Sequence, residues 1–205
     1  QASIILLYHH IDTQTPPTTS LSPLMFEKHL NFLKNNNYKV LPLEELINNL
    51  KNGIKNDKKA VAITFDDGYK SVYTNAYKLL HEFSYPFTIF ISPKYINKGK
   101  QYLTWENIKI MQKNGASIGN HSFSHDFLIR KQKNESTLEY EKRVKNNIIK
   151  AHNILEEKLN IKIKLFAYPY GEANEYIKKV VNEIHSDGRY DAILDVVKKA
   201  LNTDA

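Results

Sequence analysis

The feature that most constrains the fold of this chain is the alternation of short β-rich runs with amphipathic helical segments. In the helical segments apolar residues recur at spacings of three and four, as in Phe26, Leu30 and Leu33, which places them on one helix face. This alternation is typical of an α/β fold with a mainly parallel sheet. The pattern predicts strands over residues 3–9, 38–41, 60–65, 86–91, 117–120 and 163–168, and helices over 23–36, 43–51, 69–83, 105–114, 137–159 and 173–184.

The composition excludes several classes of protein and site. A chain of 205 residues is long enough for one domain with a sizeable core. The absence of cysteine excludes a disulfide framework, a thiolate zinc site and a cysteine nucleophile. The net charge is +7, but the lysines are spread through many helices, which favours a solvated surface over a nucleic-acid partner. No apolar run is long enough to cross a bilayer, so no transmembrane segment is predicted.

Polar and titratable side chains stand at the ends of four predicted strands. They are His9, the pair Asp66 and Asp67, His121, and the turn at residues 168–171. In α/β barrels the carboxyl ends of the strands converge on one face, where sites are built. The sequence therefore predicts that these four strand ends form one site.

The pair of acidic residues at positions 66 and 67 is the sharpest local signal. The run Thr64-Phe65-Asp66-Asp67-Gly68 places two adjacent carboxylates at the mouth of an apolar strand. Two such anions repel each other and are tolerable if a cation lies beside them. The alternative is structural, because Asp67 could simply cap the helix that follows.

Two histidines four residues apart, His121 and His125, follow the strand predicted over residues 117–120. They can face one metal ion if the backbone turns helically between them. Together with Asp67 they supply two nitrogens and one oxygen, a usual ligand set for catalytic zinc or a related divalent metal. A chance pair of histidines without a metal is the alternative.

The remaining signals are weaker. The run Tyr168-Pro169-Tyr170-Gly171 is typical of a structural turn, with a pocket wall and a backbone N–H aimed at an oxyanion as the functional alternative. His9 alone indicates packing or surface as readily as chemistry. The histidines within predicted helices are interpreted as surface residues; these are His29, His81 and His152.

In combination, these motifs resemble those of the NodB-homology polysaccharide deacetylases, carbohydrate esterase family four. The family motif Thr-Phe-Asp-Asp-Gly stands unchanged at residues 64–68, and His-Ser/Thr-x-x-His stands at residues 121–125. Ala167 occupies the position of an arginine in the third motif, as in the subgroup of poly-β-1,6-N-acetylglucosamine deacetylases. The motif Leu-x-x-His, usually C-terminal, lies at residues 6–9, and its place is similar to that in the circularly permuted members of this subgroup.

The resemblance implies a fold and a cofactor. The expected fold is a distorted, NodB-like (β/α) barrel of about six or seven parallel strands, circularly permuted. The expected cofactor is a divalent metal held by Asp67, His121 and His125, namely zinc, with cobalt, nickel and iron as alternatives.

The resemblance also implies roles in amide hydrolysis. Asp66 is expected to act as the general base, and the backbone N–H of Tyr170 to stabilise the oxyanion. His9 is expected to protonate the leaving amine, with His185 as the alternative acid. Aromatic candidates for stacking against sugar faces are Tyr168, Tyr170 and Trp105.

Two departures from the family pattern concern the fourth motif and the end of the chain. No Asp-Trp sequence resembling the fourth motif is evident. Where a further strand is expected, residues 185–205 predict an atypical linker and one helix. Its apolar face would comprise Ile193, Val196, Val197 and Leu201. The predicted organisation is a single deacetylase domain over residues 1–205 with this ending.

The expected function is therefore metal-dependent removal of N-acetyl groups from a polysaccharide containing N-acetylglucosamine, with the poly-β-1,6-linked polymer as the favoured substrate. Peptidoglycan and chitin-type oligosaccharides are alternative substrates. A catalytically silent carbohydrate-binding domain is the alternative outside enzymes, and a nucleic-acid binder is suggested by charge alone. Because such polymers lie outside the cytoplasm, we expect an exported protein of the periplasm or cell surface. No motif indicates a protein partner.

Overall fold

The structure, a computed structural model, describes residues 4–186 and 192–194. The strands are β1 (Ile4–Tyr8), β2 (His10–Ile11), β3 (Ser20–Leu21), β4 (Lys39–Val40), β5 (Ala60–Phe65), β6 (Thr88–Ile91), β7 (Ser117–Asn120), β8 (Leu165–Ala167) and β9 (Ala192–Leu194). In this part of the chain seven strands form one sheet in the order β1-β5-β6-β7-β8-β9, with β4 also paired to β5. The registered strand pairs are parallel, which confirms the predicted parallel sheet.

The helices begin and end close to the predicted residues. Ser22 caps the first helix by accepting a hydrogen bond from the Met25 amide, and Thr104 forms a capping box with Asn107, as Ser and Thr do at N-caps. None of the helices described combines the length and hydropathy that a membrane span requires. The helices are α1 (Pro23–Asn35), α2 (Leu43–Lys51), α3 (Tyr77–Glu82), α4 (Trp105–Lys113), α5 (Thr137–Leu159) and α6 (Glu175–Ser186).

The helix predicted over residues 69–83 differs from the prediction because a π-helical turn, Val72–Ala76, precedes α3. Two side chains of this segment bind one residue of β2. The Ile11 amide donates to the Ser71 hydroxyl at 3.1 Å, and the Asn75 amide side chain donates to the Ile11 carbonyl at 2.6 Å. The π-helical turn occurs where the segment makes these two hydrogen bonds to Ile11. Helical periodicity in the sequence does not reveal such a turn.

The described residues divide into two compact units. The first comprises the chain up to Ile89 together with Ile96–Ile118. Its centre is β5, in which all six residues are buried, and α1 adds the buried side chains predicted from its periodicity. Tyr8 pairs with Phe65 in the β1–β5 register, and the Asp66 amide donates to the Tyr8 carbonyl at 3.0 Å. His9 and Asp66 therefore follow the last paired residues of two neighbouring strands.

The second unit comprises Phe90–Tyr95 and the described residues from Gly119 onward. Its longest element is α5, whose buried stripe includes Val144, Ile148 and Leu155. His152 lies on the same stripe, is 2% exposed, and places Nε2 3.3 Å from Glu156. The interpretation of His152 as a surface residue is therefore wrong, because the apolar face of this helix is wide enough to include it.

The other helical histidines differ from each other. His29 is half-buried, and its Nδ1 lies 3.0 Å from the Tyr8 hydroxyl. His29 is thus partly withdrawn from the surface position that was predicted. His81 is exposed, as predicted.

The structure at residues 192–194 differs from the predicted C-terminal helix. Residues 192–194 form β9, paired in parallel with β8 through Phe166 and Ile193, so the helix is wrong at Ile193. Periodicity does not distinguish a strand from a helix in a short apolar run. Here the segment forms a strand because it pairs with β8. The other predicted helix positions (Val196, Val197 and Leu201) lie outside the described residues, and the single domain over residues 1–205 stays a prediction.

Gly119 of β7 marks a close approach two residues before His121. A Cβ at this position would lie 2.4 Å from two ring atoms of Phe90 and 3.3 Å from the Leu165 Cβ. Phe90 is 1% exposed, so its ring has little room to move aside.

We therefore expect Gly119→Ala to lower the free energy of unfolding by about 1–3 kcal/mol, the usual cost of overpacking a core. Ser117→Ala, in the same strand but half-buried, is the matched control and should change stability by less than about 0.5 kcal/mol. Urea unfolding followed by circular dichroism measures both. Equal stabilities for Gly119→Ala and the wild type would contradict the packing described.

Candidate metal and catalytic site

Asp66 and Asp67 form a tight turn at the end of β5 in the first unit. Asp67 and Gly68 have φ values of 71° and 76°, and the Gly68 amide donates to the Asp66 carbonyl at 3.0 Å. Asp tolerates this left-handed backbone better than most residues, and Gly adopts it freely. Asp66 is 8% exposed and Asp67 is half-buried, so neither carboxylate is fully hydrated.

The capping alternative for Asp67 does not fit this turn. An N-cap residue normally has an extended backbone and accepts a hydrogen bond from an amide two or three residues later. Asp67 has a left-handed backbone, and the Lys70 amide donates to the Gln101 carbonyl at 2.8 Å. The carboxylate of Asp67 is therefore not explained as a helix cap.

His10 is a neighbour of Asp67 that the sequence analysis missed. Burial lowers the pKa of His10, and the charge of Asp67 opposes that change. The His10 ring stacks on Tyr69 with centroids 3.5 Å apart. The adjacent pair His9-His10 could have raised this residue as a candidate, but only the structure separates the half-buried His9 from the buried His10.

Trp105 follows a segment that is attached to the same turn. The Leu103 amide donates to the Gly68 carbonyl at 2.9 Å, and Tyr102 forms an antiparallel bridge and a ring stack with Tyr69. Trp105 is half-buried at the start of α4. This segment adds Tyr102 as an aromatic neighbour of the turn that sequence reasoning missed.

His121 lies in the second unit and is oriented by a backbone carbonyl. It is 1% exposed, and its Nδ1 lies 2.9 Å from the Ala167 carbonyl oxygen. Because a carbonyl only accepts hydrogen bonds, Nδ1 carries the proton and Nε2 carries the lone pair that a metal requires. A histidine held in this way is the usual arrangement of a metal ligand.

The backbone between His121 and His125 is not the helical turn that was predicted. Ser122 and His125 have φ values of 64° and 53°, so the segment is an irregular loop. Asn120 accepts a hydrogen bond from the Ser122 amide at 2.8 Å, and the Ser122 hydroxyl accepts one from the His125 amide at 3.1 Å. The loop still brings the two imidazoles together, with ring centroids 4.8 Å apart.

Helix α5 supports the same loop through one side chain. The amide side chain of Asn147 accepts a hydrogen bond from the Phe123 amide at 2.7 Å and donates one to the Ser124 hydroxyl at 2.8 Å. Tyr95 adds a third attachment, from its hydroxyl to the Ser124 carbonyl at 2.9 Å. The residues between the two histidines are thus held by side chains distant in sequence.

The third motif forms a turn with a strained centre. The Gly171 amide donates to the Tyr168 carbonyl at 2.9 Å, and Tyr170 has φ 59° and ψ 10°. Tyr170 is the third residue of this turn, and a left-handed backbone at that position favours Gly. A non-glycine residue in the left-handed region costs about 1–2 kcal/mol. The turn's own hydrogen bond uses the amide of Gly171 rather than that of Tyr170.

Aromatic packing accompanies this strain. The Tyr170 ring stacks on Phe127 with centroids 3.8 Å apart and planes 4° apart, and it forms an edge contact with His125 at 4.5 Å between centroids. The Arg130 guanidinium lies 3.6 Å from the Phe127 centroid. An aromatic pair contributes about 0.5–1.5 kcal/mol beyond its buried area. The stack is therefore of the right order to offset the strain at Tyr170.

Three side chains form a group that could hold a metal ion. One ligand atom each from Asp67, His121 and His125 lies within 4.8 Å of the others. The set provides one carboxylate oxygen and two imidazole nitrogens, which suits zinc and related divalent metals. The role of these residues as metal ligands stays a prediction. The side chain of His185, the alternative acid, lies outside the described residues.

The two tyrosines of the third motif differ in exposure. Tyr168 is 7% exposed and packs against Phe166 at 5.3 Å between centroids, whereas Tyr170 is 51% exposed. Of these two candidates for sugar stacking, Tyr170 is the one with an exposed ring.

The support of the His121–His125 loop by Asn147 is testable through metal affinity. We expect Asn147→Ala to weaken zinc binding by about 10–100-fold, as does loss of side chains that orient metal ligands. Asn146→Ala, an exposed neighbour on α5, is the control and should bind as the wild type does. Competition titration with a chromophoric chelator gives both affinities, and equal values would show that the loop holds its shape without Asn147.

Comparison with known proteins identifies the family. The polysaccharide deacetylase family model matches residues 53–187. The chain is 30% identical over 181 residues to YxkH of Bacillus subtilis, covering 87% of this chain and 60% of that protein. It is 28% identical over 161 residues to the poly-beta-1,6-N-acetyl-D-glucosamine N-deacetylase of Staphylococcus aureus, covering 76% of this chain and 55% of that one. The chain thus spans little more than half the length of these curated relatives.

A solved structure shows the same fold. IcaB from Ammonifex degensii superposes with a TM-score of 0.78 at 25% identity, covering 88% of this chain and 79% of that one. This likeness, together with the parallel sheet and its helices, confirms the predicted NodB-like α/β fold. By its matched residues and by its fold, the chain belongs to the polysaccharide deacetylase family.

Proposed function

We propose that this protein hydrolyses N-acetyl groups of a polysaccharide that contains N-acetylglucosamine, with a divalent metal as cofactor. The observation that carries the proposal is that one ligand atom each from Asp67, His121 and His125 lies within 4.8 Å of the others, with a second carboxylate, Asp66, next to Asp67 in the chain. A ligand set with an adjacent second carboxylate provides both a place for a metal and a base for hydrolysis.

The three ligand residues would hold the metal, and zinc is the metal that we propose. The fit rests on the donor set and on His121, whose Nδ1 faces the Ala167 carbonyl and whose Nε2 therefore carries the lone pair. When bound, such an ion polarises the acetyl carbonyl and lowers the pKa of water. Cobalt, nickel and iron accept the same donors and are alternatives.

Asp66 acts as the general base in this proposal. With Asp67 committed to the metal, the neighbouring carboxylate accepts the proton of the attacking water. Its position supports this role, since Asp66 is held by its amide to the Tyr8 carbonyl and is largely buried. A carboxylate withdrawn from bulk water keeps its proton transfer directed at the substrate.

The backbone N–H of Tyr170 and the imidazole of His9 complete the proposed reaction. The Tyr170 amide donates to the developing oxyanion, supported by a turn that uses a different amide for its own hydrogen bond. His9 gives a proton to the leaving amine, a task suited to an imidazole near neutral pH. It follows β1 as Asp66 follows β5, and these strands are paired in register. His185 remains the alternative acid.

The favoured substrate is poly-β-1,6-N-acetylglucosamine. The name of the Staphylococcus aureus relative and Ala167 in place of the third-motif arginine support this choice. Tyr170 and Trp105 are proposed to contact sugar rings, and the buried Tyr168 is proposed to form part of the pocket wall. Such a polymer lies outside the cytoplasm, so the proposal implies a protein of the periplasm or cell surface.

Acetate release from β-1,6-linked N-acetylglucosamine oligomers tests this function. We expect release by zinc-loaded protein, loss of release after chelation, and recovery when zinc is returned. Asp66→Asn should lower kcat by about 100-fold or more, the usual contribution of a general base, while zinc remains bound. Asp57→Asn, an exposed residue paired with Lys39, is the control and should keep full activity.

Each contrary outcome has a definite meaning. Release that persists in chelator, or full activity of Asp66→Asn, would overturn the proposed mechanism. Acetate release from chitin-type or peptidoglycan substrates alone would support deacetylation but show that poly-β-1,6-N-acetylglucosamine is not the substrate. Binding of oligomers with no release from any acetylated glycan would indicate a silent carbohydrate-binding domain.

A further inference from the structure

An aromatic column in the second unit includes two residues of the proposed site. We define it as Arg130, Phe127, Tyr170 and His125, in that order of contact. We propose that Phe127 is a positioning residue for deacetylation, which holds the Tyr170 amide and the His125 ring in their working orientations. The inference rests on the proposed function and adds to it a residue outside every motif of the sequence.

The geometry of the column restricts Tyr170 directly and His125 through Tyr170. Its ring lies parallel to that of Tyr170, with planes 4° apart and centroids 3.8 Å apart. Rotation of the Tyr170 side chain would break this face-to-face contact. The Tyr170 and His125 rings form an edge contact, with centroids 4.5 Å apart and planes 64° apart. Restraint of Tyr170 therefore passes directly to a metal-ligand ring.

The loop that carries Phe127 is itself fastened to α5. Arg130 covers the Phe127 ring at 3.6 Å, and its carbonyl accepts a hydrogen bond from Arg143 Nη2 at 2.9 Å. Arg143 also donates to both carboxylate oxygens of Glu135, at 2.6 Å and 2.9 Å. Such two-point pairing of arginine with a carboxylate is geometrically specific. Phe127 is thus held in place by a defined set of contacts.

The role of this restraint follows from the strained backbone of Tyr170. Its positive φ is unfavourable for a tyrosine, so the turn has a driving force to relax when the stacked ring is removed. Relaxation changes φ and ψ and so redirects the amide that is proposed to meet the oxyanion. Because the oxyanion exists only during reaction, loss of Phe127 should slow turnover more than it weakens substrate binding.

The test compares Phe127→Ala with Phe127→Tyr, which keeps a flat ring. For Phe127→Ala we expect kcat on acetylated glucosamine oligomers to fall by about 10–100-fold, the scale of a small misplacement of catalytic groups. KM should change by less than about threefold, since substrate binding is retained. Zinc affinity should fall by about tenfold through His125. Phe127→Tyr should restore all three quantities.

Two further variants serve as controls. Phe32→Ala removes an exposed ring that neighbours Tyr38 on α1, and it should leave kcat and zinc affinity unchanged. Arg130→Ala removes only the exposed cover of the column, so it keeps the proposal testable if Phe127→Ala fails to fold. It should lower kcat by about threefold without raising KM, on the scale of an exposed cation–π contact.

Wild-type kcat and zinc affinity in Phe127→Ala, or in Arg130→Ala where Phe127→Ala does not fold, would overturn the proposal. A raised KM with unchanged kcat would also overturn it, because Phe127 would then contact substrate. The proposed function fails separately. If the wild type releases no acetate but Phe127→Ala weakens zinc binding and Phe127→Tyr restores it, deacetylation is wrong and the positioning of His125 stands.

Discussion

The repulsion between two neighbouring carboxylates is the constraint on which the proposed site depends. Asp66 and Asp67 follow a fully buried strand, and the backbone is left-handed at Asp67 and Gly68. Two partly buried anions so close are costly unless a cation or a proton relieves them. In the proposed function, Asp67 shares a cation with two imidazole nitrogens, and Asp66 is left for proton transfer. One local sequence would then provide both a metal ligand and a base.

The second unit contains His121 and His125, and several of its side chains hold the loop between them. Asn120 and Asn147 satisfy successive backbone amides of this loop, and the Ala167 carbonyl fixes the His121 ring. Buried polar groups that are fully paired in this way hold a single conformation. The Arg143–Glu135 pair extends this support to the neighbouring loop and, through it, to Tyr170. Rigidity in this unit fits a site that must present fixed donors to a developing charge.

Much of the fold and of the site could be predicted from local pattern. The bounds of β5, β7, α2 and α5 match the predictions, because burial on a sheet or on one helix face leaves a regular apolar period. Strand ends likewise indicated Asp67, His121 and His125, whose possible ligand atoms lie within 4.8 Å of one another. Contacts between residues distant in sequence produce no such regular pattern. The left-handed loop around His125, the strand at Ile193 and the stack on Phe127 each depend on a partner that the local sequence does not name.

The central claim is that Asp67, His121 and His125 form one metal site, and a zinc titration of metal-free protein tests it most directly. Calorimetry should give one zinc per chain, because one ligand set is proposed. Asp67→Ala and His125→Ala should each weaken binding by about 100-fold or more, since each removes one of three protein ligands. Zinc binding of unchanged affinity in both variants, or no binding by the wild type, would contradict the account.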